Sequence, residues 1–190
     1  MGHSARFGTL TDEELVSLCN SGGKDEALAA FGALYERHKD FVIRVALRFV
    51  PDTDSALDVL QETFSYLLRQ FPPSGTGLRL TAKLTTYLYP VAKNTAISLR
   101  RKAERFPQAA GISPDLLPGR PDPAATEIDP LLAGLSGERR EVLLLRFVDE
   151  LSLAEIAATL GVPLGTVKSR LHLALKQLRD SPAAINLREP

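Results

Sequence analysis

The apolar residues of this chain recur at intervals of three and four positions, which is the period of an α-helix. We find no segment in which apolar and polar residues alternate as they do in a β-strand. The pattern predicts long helices over residues 25–49, 54–71 and 80–106, and further helices within residues 131–180. The predicted fold class is therefore all-α.

The apolar stripes of the first two long helices are predicted to face a core. They consist of Leu28, Phe31, Leu34, Tyr35, Phe41, Val42, Val45 and Phe49 in the first helix, and Leu57, Leu60, Phe64, Leu67, Leu68 and Phe71 in the second. Residues 72–77 follow with the sequence Pro-Pro-Ser-Gly-Thr-Gly, which predicts a loop before the third long helix.

Two short motifs mark the beginnings of helices. Thr11 is followed three residues later by Glu14, and Ser152 by Glu155. Each pair is a capping box, in which the hydroxyl accepts from the amide of the glutamate and the carboxylate accepts from the amide of the first residue. The first pair predicts a short helix ahead of the helix 25–49, and the second predicts a helix that begins directly after the serine.

Residues 107–130 differ in composition from the segments on either side. They hold six of the chain's 13 prolines, and four acidic residues against one arginine. A proline-rich, acidic segment without apolar periodicity is typical of an extended linker. The chain is therefore predicted to have two small helical domains, residues 10–106 and 131–180, joined by a flexible linker.

Residues 151–178 have the spacing of a helix-turn-helix. Ala157 is small where a crossing helix needs close approach, Gly161 follows four residues later, and Val167 comes ten residues after Ala157. Gly161 suits the left-handed conformation that ends many helices. Pro163 suits the first turn of the second helix, because its missing amide hydrogen would have no partner there.

A helical wheel divides the second helix of this motif into an inner and an outer face. The residues predicted to face the core are Val167, Leu171, Ala174, Leu175 and Leu178. Ser169, His172 and Lys176 lie opposite, with Lys168 and Arg170 on the flanks. Basic flanks that hold phosphates, beside a polar face that meets base edges, are typical of a helix in the major groove of DNA. The alternative is an ordinary solvated helix hairpin.

The whole-chain composition narrows the class of function. The 23 Lys and Arg residues cancel the 23 Asp and Glu residues, so a nucleic-acid partner must be inferred from local clusters. The single cysteine, Cys19, excludes an internal disulfide and a cysteine-based zinc site, and we expect it in the core. Together with the lack of a signal peptide it predicts a cytoplasmic protein. No apolar run approaches the roughly 18 residues of a membrane span, so membrane insertion is not expected.

Polar residues form a stripe on the predicted helix 54–71. The stripe consists of Asp54, Asp58, Gln61, Glu62 and Ser65. Asp58 and Glu62 are four residues apart, as in a carboxylate pair for a metal or for acid–base catalysis, but no histidine lies nearby in sequence. No second carboxylate motif accompanies them. We therefore expect no metal, no cofactor and no catalytic residue, and the chain is predicted not to be an enzyme.

Residues 79–106 contain seven basic residues and one acid, with Tyr87 and Tyr89 among them. Basic side chains follow phosphates, and aromatic rings offer faces on which unstacked bases rest. The combination suits a surface that binds DNA as it opens. A basic surface helix with two core tyrosines would have the same composition.

Three segments, in this order, resemble the bacterial sigma factors of the extracytoplasmic-function group, which have two helical domains. They are YERHKDFVIRVALRFVPDTDSALDVLQETFSYLLRQF (35–71), TTYLYPVAKNTAISLRRK (85–102) and LSLAEIAATLGVPLGTVKSRL (151–171). The most specific pieces are DVLQETF and GTVKSRL. The resemblance covers nearly the whole chain and places a linker where the family has one.

The resemblance implies a role for each surface. The first domain would bind the clamp coiled coil of the largest catalytic RNA polymerase subunit through the polar stripe on helix 54–71. Residues 72–105 would recognise and help melt the minus-ten promoter element, through Tyr87, Lys93, Asn94, Arg100 and Arg101. The helix-turn-helix would read the minus-thirty-five element, through Thr166, Lys168, Ser169, Arg170, His172 and Lys176. The expected partners are core RNA polymerase, promoter DNA and, as is common in the family, an anti-sigma factor.

The chain also departs from the family pattern in the melting region. Tyr87 stands where the family usually has tryptophan, Pro90 where it has arginine, and Ser98 where it often has aspartate. Pro90 is expected to kink the helix or to make it start there. An alternative is a stand-alone regulator of the response-regulator type, which ends in a similar helix-turn-helix but usually carries strands in its other domain. A sigma-like protein that acts only by interaction is a further alternative.

Overall fold

The computed structural model describes residues 7–105, 132 and 134–180. These residues form seven helices and no strand: α1 (Asp12–Ser21), α2 (Lys24–Leu47), α3 (Thr53–Leu68), α4 (Leu84–Arg105), α5 (Gly137–Phe147), α6 (Leu153–Leu160) and α7 (Leu164–Arg179). The predicted all-α fold class is confirmed. The chain divides into two compact units, Met1–Gly119 and Arg120–Pro190, and the predicted linker 107–130 lies outside the described residues.

Both predicted capping boxes are confirmed. The Glu14 amide donates to Thr11 Oγ1 at 3.3 Å and the Thr11 amide donates to Glu14 Oε2 at 2.7 Å. The Glu155 amide donates to Ser152 Oγ at 3.2 Å and the Ser152 amide donates to Glu155 Oε2 at 2.7 Å. Each box satisfies two amides that the first turn of a helix leaves without a backbone partner, which fixes where α1 and α6 begin.

Helix α4 begins at Leu84, four residues later than the sequence pattern predicts. Residues 78–83, which lead into it, are not helical, and both backbone polar groups of Leu78 are hydrogen-bonded to the side chain of Asn20. Pro90 lies inside α4, in its second turn, so the helix does not start at the proline.

In the first unit, α2 packs against α1, α3 and α4 around an apolar core. Its fully buried side chains include Leu15, Leu34, Val42, Val45, Val59, Leu67, Leu84, Leu88 and Tyr89. Aromatic rings extend this core between α2 and α3, with the Tyr35 and Phe64 centroids 4.8 Å apart in an edge-to-face arrangement. The centroid of the Phe31 ring lies 6.2 Å from the centroids of Phe64 and Phe71, and both pairs are edge-to-face.

The prediction of burial was wrong for three leucines of this unit. Leu28 is 66% exposed, Leu57 46% and Leu68 49%. The buried stripe of α3 runs through Val59, Leu60, Phe64 and neighbouring residues, and Leu57 and Leu68 lie at its edge, where they stay about half exposed.

The second unit is built from α5, α6 and α7. Leu132, Leu135, Leu143 and Ala174 form a buried cluster, and Leu144 and Leu178 pack against it. Ile156 and Val167 are fully buried between the two helices of the helix-turn-helix. Leu175, which the wheel places toward the core, is 40% exposed, because Ala174 carries the buried contact and Leu175 lies one residue further around the helix.

The turn of the helix-turn-helix has the predicted left-handed residue. Gly161 ends α6 with φ of 64°, a conformation that costs glycine little and other residues more. Pro163 is the N-cap of α7, one residue ahead of the predicted position in the first turn, and its carbonyl accepts from the amide of Val167 at 3.2 Å.

Candidate protein and nucleic-acid interfaces

The predicted polar stripe lies on the outer side of α3. Asp54, Asp58, Gln61 and Glu62 are exposed and Ser65 is half-buried. Together with the exposed leucines Leu57 and Leu68, these five residues are called the α3 surface below. The sequence from Asp52 to Leu68 contains no lysine or arginine, so the α3 surface is acidic.

An open apolar groove of about 420 Å³ lies on the same side of the unit, between α2 and α3. Its lining residues are Phe31, Tyr35, Leu57, Leu60, Gln61, Phe64, Ser65 and Leu68. Four of these residues are also on the α3 surface, so the acids and the groove form one continuous surface. The sequence pattern missed this groove because it assigned Leu57 and Leu68 to the core.

The carboxylates of the α3 surface are only weakly engaged within the chain. Glu62 Oε1 lies 3.1 Å from Arg69 Nη2, and both side chains are more than half exposed. An exposed pair of this kind contributes about 0–1 kcal/mol, so a partner can replace it at little cost. Asp52, just before the helix, instead accepts from the Ser55 amide at 2.7 Å and caps α3.

On α4, the structure separates exposed from packed members of the predicted basic site. Asn94 and Arg101 are exposed. Arg100 is also exposed and forms an ion pair with Glu104 at 3.4 Å. Lys93 is half-buried, with its Nζ 5.8 Å from the centre of the Phe49 ring. The face that can reach DNA without repacking therefore consists of Asn94, Arg100 and Arg101.

The two tyrosines of α4 are held inside the unit to different degrees. Tyr89 is 1% exposed, so it is a core residue and offers no face to a base. Tyr87 is half-buried, and burial, together with the charge and hydroxyl of Tyr66, raises the pKa of Tyr87 to about 12. A hydrogen bond with Tyr66 on α3 contributes to this shift.

Helix α7 presents most of its predicted site residues to solvent. Lys168, Ser169, His172 and Lys176 are exposed, and Thr166 is half-buried. The Ser169 hydroxyl donates to the Thr166 carbonyl at 3.0 Å, which leaves the lone pairs of the hydroxyl oxygen facing outward as acceptors. The outer side of α7 is thus polar and basic, as predicted.

Arg170 differs from the other predicted residues of α7. Its Nη2 lies 2.8 Å from Glu138 Oε1 in the first turn of α5, and only 22% of its side chain is exposed. The arginine therefore joins α7 to α5 within the domain. This contact was not foreseen, because the partner is on another helix far away in sequence.

Cys19 is buried, as predicted for a core residue. Burial raises the pKa of the Cys19 thiol to about 11, so the reactive thiolate is scarce at neutral pH. Among the described residues, no group of three or more His, Cys, Asp and Glu side chains could hold a metal ion.

Comparisons with known proteins match the segment that contains α3 and α4 to one family model and the segment that contains the helix-turn-helix to another. The family model for sigma-70 region 2 matches residues 34–106, and the model for sigma-70 region 4 matches residues 125–178. The chain is 36% identical over 169 residues to the ECF RNA polymerase sigma factor SigL of Mycobacterium tuberculosis, covering 84% of this chain and 92% of that protein. The chain belongs to the extracytoplasmic-function sigma factors. A sigma factor binds core RNA polymerase and directs it to specific promoters for the initiation of transcription.

Further relatives extend this assignment. The sigma factor is 28% identical over 180 residues to SigW of Bacillus subtilis, with 80% of this chain and 90% of that protein covered. The region 2 match spans α3 and α4, so the alternative of a stand-alone response-regulator-type regulator is not favoured.

Solved structures share the fold. The chain superposes on CnrH, solved in complex with the cytosolic domain of CnrY, with a TM-score of 0.63 at 23% identity, covering 94% of this chain and 99% of that one. It superposes on RpoE of Bartonella quintana, solved in complex with the anti-sigma factor NepR, with a TM-score of 0.58 at 21% identity, covering 79% and 94%. Within the residues that the structure describes, none of the helices is both long and apolar enough to cross a membrane.

Proposed function

We propose that this sigma factor binds core RNA polymerase through the α3 surface and the apolar groove beside it. The observation that carries the proposal is the combination of acids with exposed leucines on one side of α3. An apolar patch that is bordered by charged residues is typical of a surface that binds another protein. Because the segment from Asp52 to Leu68 has no basic residue, the complementary surface on the polymerase is expected to be basic.

We propose that the loop 69–83 and helix α4 bind the minus-ten promoter element. Asn94, Arg100 and Arg101 are the accessible members of the site, and Lys93 and Tyr87 support them from half-buried positions. Arg100 and Arg101 can contact phosphates, and the Asn94 amide can hydrogen-bond to a base or to the backbone.

We propose that α7 reads the minus-thirty-five element from the major groove. Ser169 and His172 would meet base edges, and Lys168 and Lys176 would contact phosphates, with Thr166 at the start of the helix. Arg170 would contribute less to DNA binding than Lys168, because its charge already has a carboxylate partner in Glu138.

Further parts of the proposal concern the chain as a whole. Residues 10–106 form the polymerase-binding and minus-ten domain, residues 131–180 form the minus-thirty-five domain, and residues 107–130 link them. The protein acts in the cytoplasm, where the polymerase is, and catalyses no reaction of its own. An anti-sigma factor is a further expected partner, since the solved relative RpoE is bound to one.

The proposal is tested by co-purification of the full chain with bacterial core RNA polymerase. The variant Asp58→Arg/Glu62→Arg places positive charge on the α3 surface, where like charge would meet a basic partner. We expect its affinity for core polymerase to fall by roughly a hundredfold. The matched control is Asp25→Arg/Asp40→Arg, which makes the same two reversals at exposed positions of α2 and should bind as the wild type does.

A second variant separates the groove from the charges. Leu57→Ser/Leu68→Ser removes apolar side chains that are already about half exposed, so folding should be little affected. Binding to core polymerase should weaken, because the apolar contact at the centre of the interface is lost. Full binding by both the arginine and the serine variants would overturn the assignment of the α3 surface.

A further inference from the structure

The loop between α3 and α4 is held in place by a side chain from α1. Asn20 Nδ2 donates to the Leu78 carbonyl at 2.8 Å, and the Leu78 amide donates to Asn20 Oδ1 at 2.9 Å. The two residues are 58 positions apart in the sequence. The asparagine side chain thereby satisfies both backbone groups of one loop residue, as a neighbouring strand would.

The helix that carries Asn20 is itself fixed to α2 near both ends. Near its beginning, Asp12 Oδ1 accepts from Arg37 at 2.7 Å, and Asp12 Oδ2 lies 2.8 Å from His38 Nε2. Near its end, Cys19 Sγ lies 3.6 Å from the Ala27 carbonyl oxygen. Burial alone would raise the pKa of Asp12, but its hydrogen bonds and electrostatic interactions with His38 and Arg37 lower it. Asn20 therefore projects from a helix that has little freedom to move.

The loop has a defined path on the side that faces Asn20. Gly77 has φ of 101°, a region that side chains with a Cβ rarely adopt, and its amide donates to the Gln70 carbonyl at 2.9 Å. A Cβ at position 77 would lie 2.9 Å from Asn20 Oδ1. The left-handed backbone and the close approach of Asn20 together favour glycine at this position.

The outer side of the same loop presents polar and basic groups immediately before α4. Its exposed hydroxyl and basic residues include Ser74, Thr76, Arg79, Thr81 and Lys83. Hydroxyls can hydrogen-bond to the edge of an unstacked base, and the two cations can contact neighbouring phosphates. Such contacts are more favourable when the loop is held in one shape before DNA arrives, because less conformational entropy is lost on binding.

We propose that Asn20 is a positioning residue for recognition of the minus-ten element. By fixing Leu78, it holds the loop in the shape in which the hydroxyl and basic side chains can select a base of the opened strand. This proposal rests on the proposed function of the loop and α4. Asn20 itself contacts no DNA; it acts through the backbone of the loop.

The experiment uses the full chain in complex with core polymerase. DNA that the wild-type complex selects from a random library supplies a promoter, whose minus-ten positions are then randomised again. For Asn20→Ala, we expect the discrimination between bases at one or more minus-ten positions to fall roughly tenfold, as two hydrogen bonds that fix the loop are lost. Affinity for core polymerase and the preference at the minus-thirty-five element should not change.

Three further variants make the test specific. Ser21→Ala is the matched control, because it removes a hydrogen bond to Ser17 within α1 but does not touch the loop. Gly77→Ala disturbs the contact from the other side and should reproduce the loss of discrimination. Asn20→Asp keeps an acceptor for the Leu78 amide but sets a carboxylate oxygen against the Leu78 carbonyl, so it should lose at least as much discrimination as Asn20→Ala.

Failure of this proposal can be distinguished from failure of the proposed function. If Thr76→Ala or Arg79→Ala alters the minus-ten preference while Asn20→Ala does not, the positioning role is wrong and the function of the loop stands. If none of these variants alters it, both are wrong. Equal losses in core binding and in both promoter elements would mean that Asn20 is merely structural, which would also overturn the proposal.

Discussion

Helices α4 and α7 both carry basic residues that are proposed to bind DNA, but they use these side chains differently. On α4, Lys93 lies over the Phe49 ring, Arg100 forms an ion pair with Glu104, and Tyr87 is hydrogen-bonded to Tyr66. On α7, Lys168, Ser169, His172 and Lys176 are exposed to solvent. Among the predicted contact residues of α7, and within the part of the chain that the structure describes, only Arg170 forms an ion pair with another helix.

The difference fits the two kinds of DNA target proposed for these helices. A helix that enters an intact major groove needs accessible side chains, because it reads the edges of stacked base pairs. A helix that binds an opened strand also needs a rigid framework against which bases can be placed. Helix α4 is tied to its unit by aromatic and cationic contacts, and the loop before it is tied to α1 by Asn20.

The largest expected effect concerns the buried tyrosine of α4. Tyr89→Ala would leave a cavity in the first unit and should lower its free energy of unfolding by about 3–5 kcal/mol. All four tyrosines, at positions 35, 66, 87 and 89, lie in the first unit and the chain has no tryptophan, so tyrosine fluorescence during urea unfolding reports on that unit alone. A variant that is fully stable but defective in promoter opening would show instead that Tyr89 acts on DNA.

The second prediction compares accessible with packed cations. Lys168→Ala and Arg101→Ala should each weaken promoter binding and reduce the slope of log affinity against log salt concentration by about one. Lys93→Ala should reduce the slope by less, because its ammonium group lies over Phe49. If all three variants, measured in complex with core polymerase, have the same salt-dependence slope, the distinction between accessible and packed cations is wrong.

The third prediction concerns the ion pair between α5 and α7. Glu138→Gln removes a negative charge beside Arg170 and makes its guanidinium available to a phosphate, so promoter affinity at low salt should rise by about two- to fivefold. The same affinity in Arg170→Ala and in Glu138→Gln/Arg170→Ala would confirm that the gain passes through the arginine. If Glu138→Gln raises promoter affinity even in the Arg170→Ala background, the gain comes from the lost carboxylate alone and not from the arginine.

The smallest effect is expected from Tyr87→Phe, which removes the hydrogen bond to Tyr66 and should cost about 0.5–1.5 kcal/mol. Because the folded state raises the pKa of Tyr87 from 10.0 to about 12, the folded state binds this proton more tightly than the unfolded state. Its contribution to stability is therefore complete below pH 10 and is lost as the pH rises toward 12. The free energy of unfolding should fall less between pH 10 and pH 12 in Tyr87→Phe than in the wild type, and an equal fall in both proteins would contradict the raised pKa of Tyr87.

Features that depend on neighbouring residues in the sequence could be predicted. The two capping boxes, the left-handed Gly161 and the fully buried Ile156 and Val167 follow from local hydrogen bonding and from the period of the helix. The accessible polar side of α7 follows from the same period. In each case the physical cause lies within one or two helical turns of the residue concerned.

Features that depend on contacts between distant segments could not be predicted. The exposure of Leu57, the burial of Tyr89 and the pairing of Arg170 with Glu138 all depend on which helix covers a given side chain. The contact between Asn20 and Leu78 joins residues 58 positions apart. A helical wheel gives the direction in which a side chain points, but it does not show which other segment of the chain packs against that side chain.

Helices α4 and α7 are proposed to bind separate promoter elements. The most direct test places a photo-crosslinking residue at Asn94 in one variant and at Ser169 in another, since both positions are exposed. Each variant is bound to core polymerase and irradiated on a selected promoter, and the cross-linked bases are mapped. The account predicts cross-links from Asn94 to the minus-ten element and from Ser169 to the minus-thirty-five element. Cross-links from both positions to the same element would contradict it.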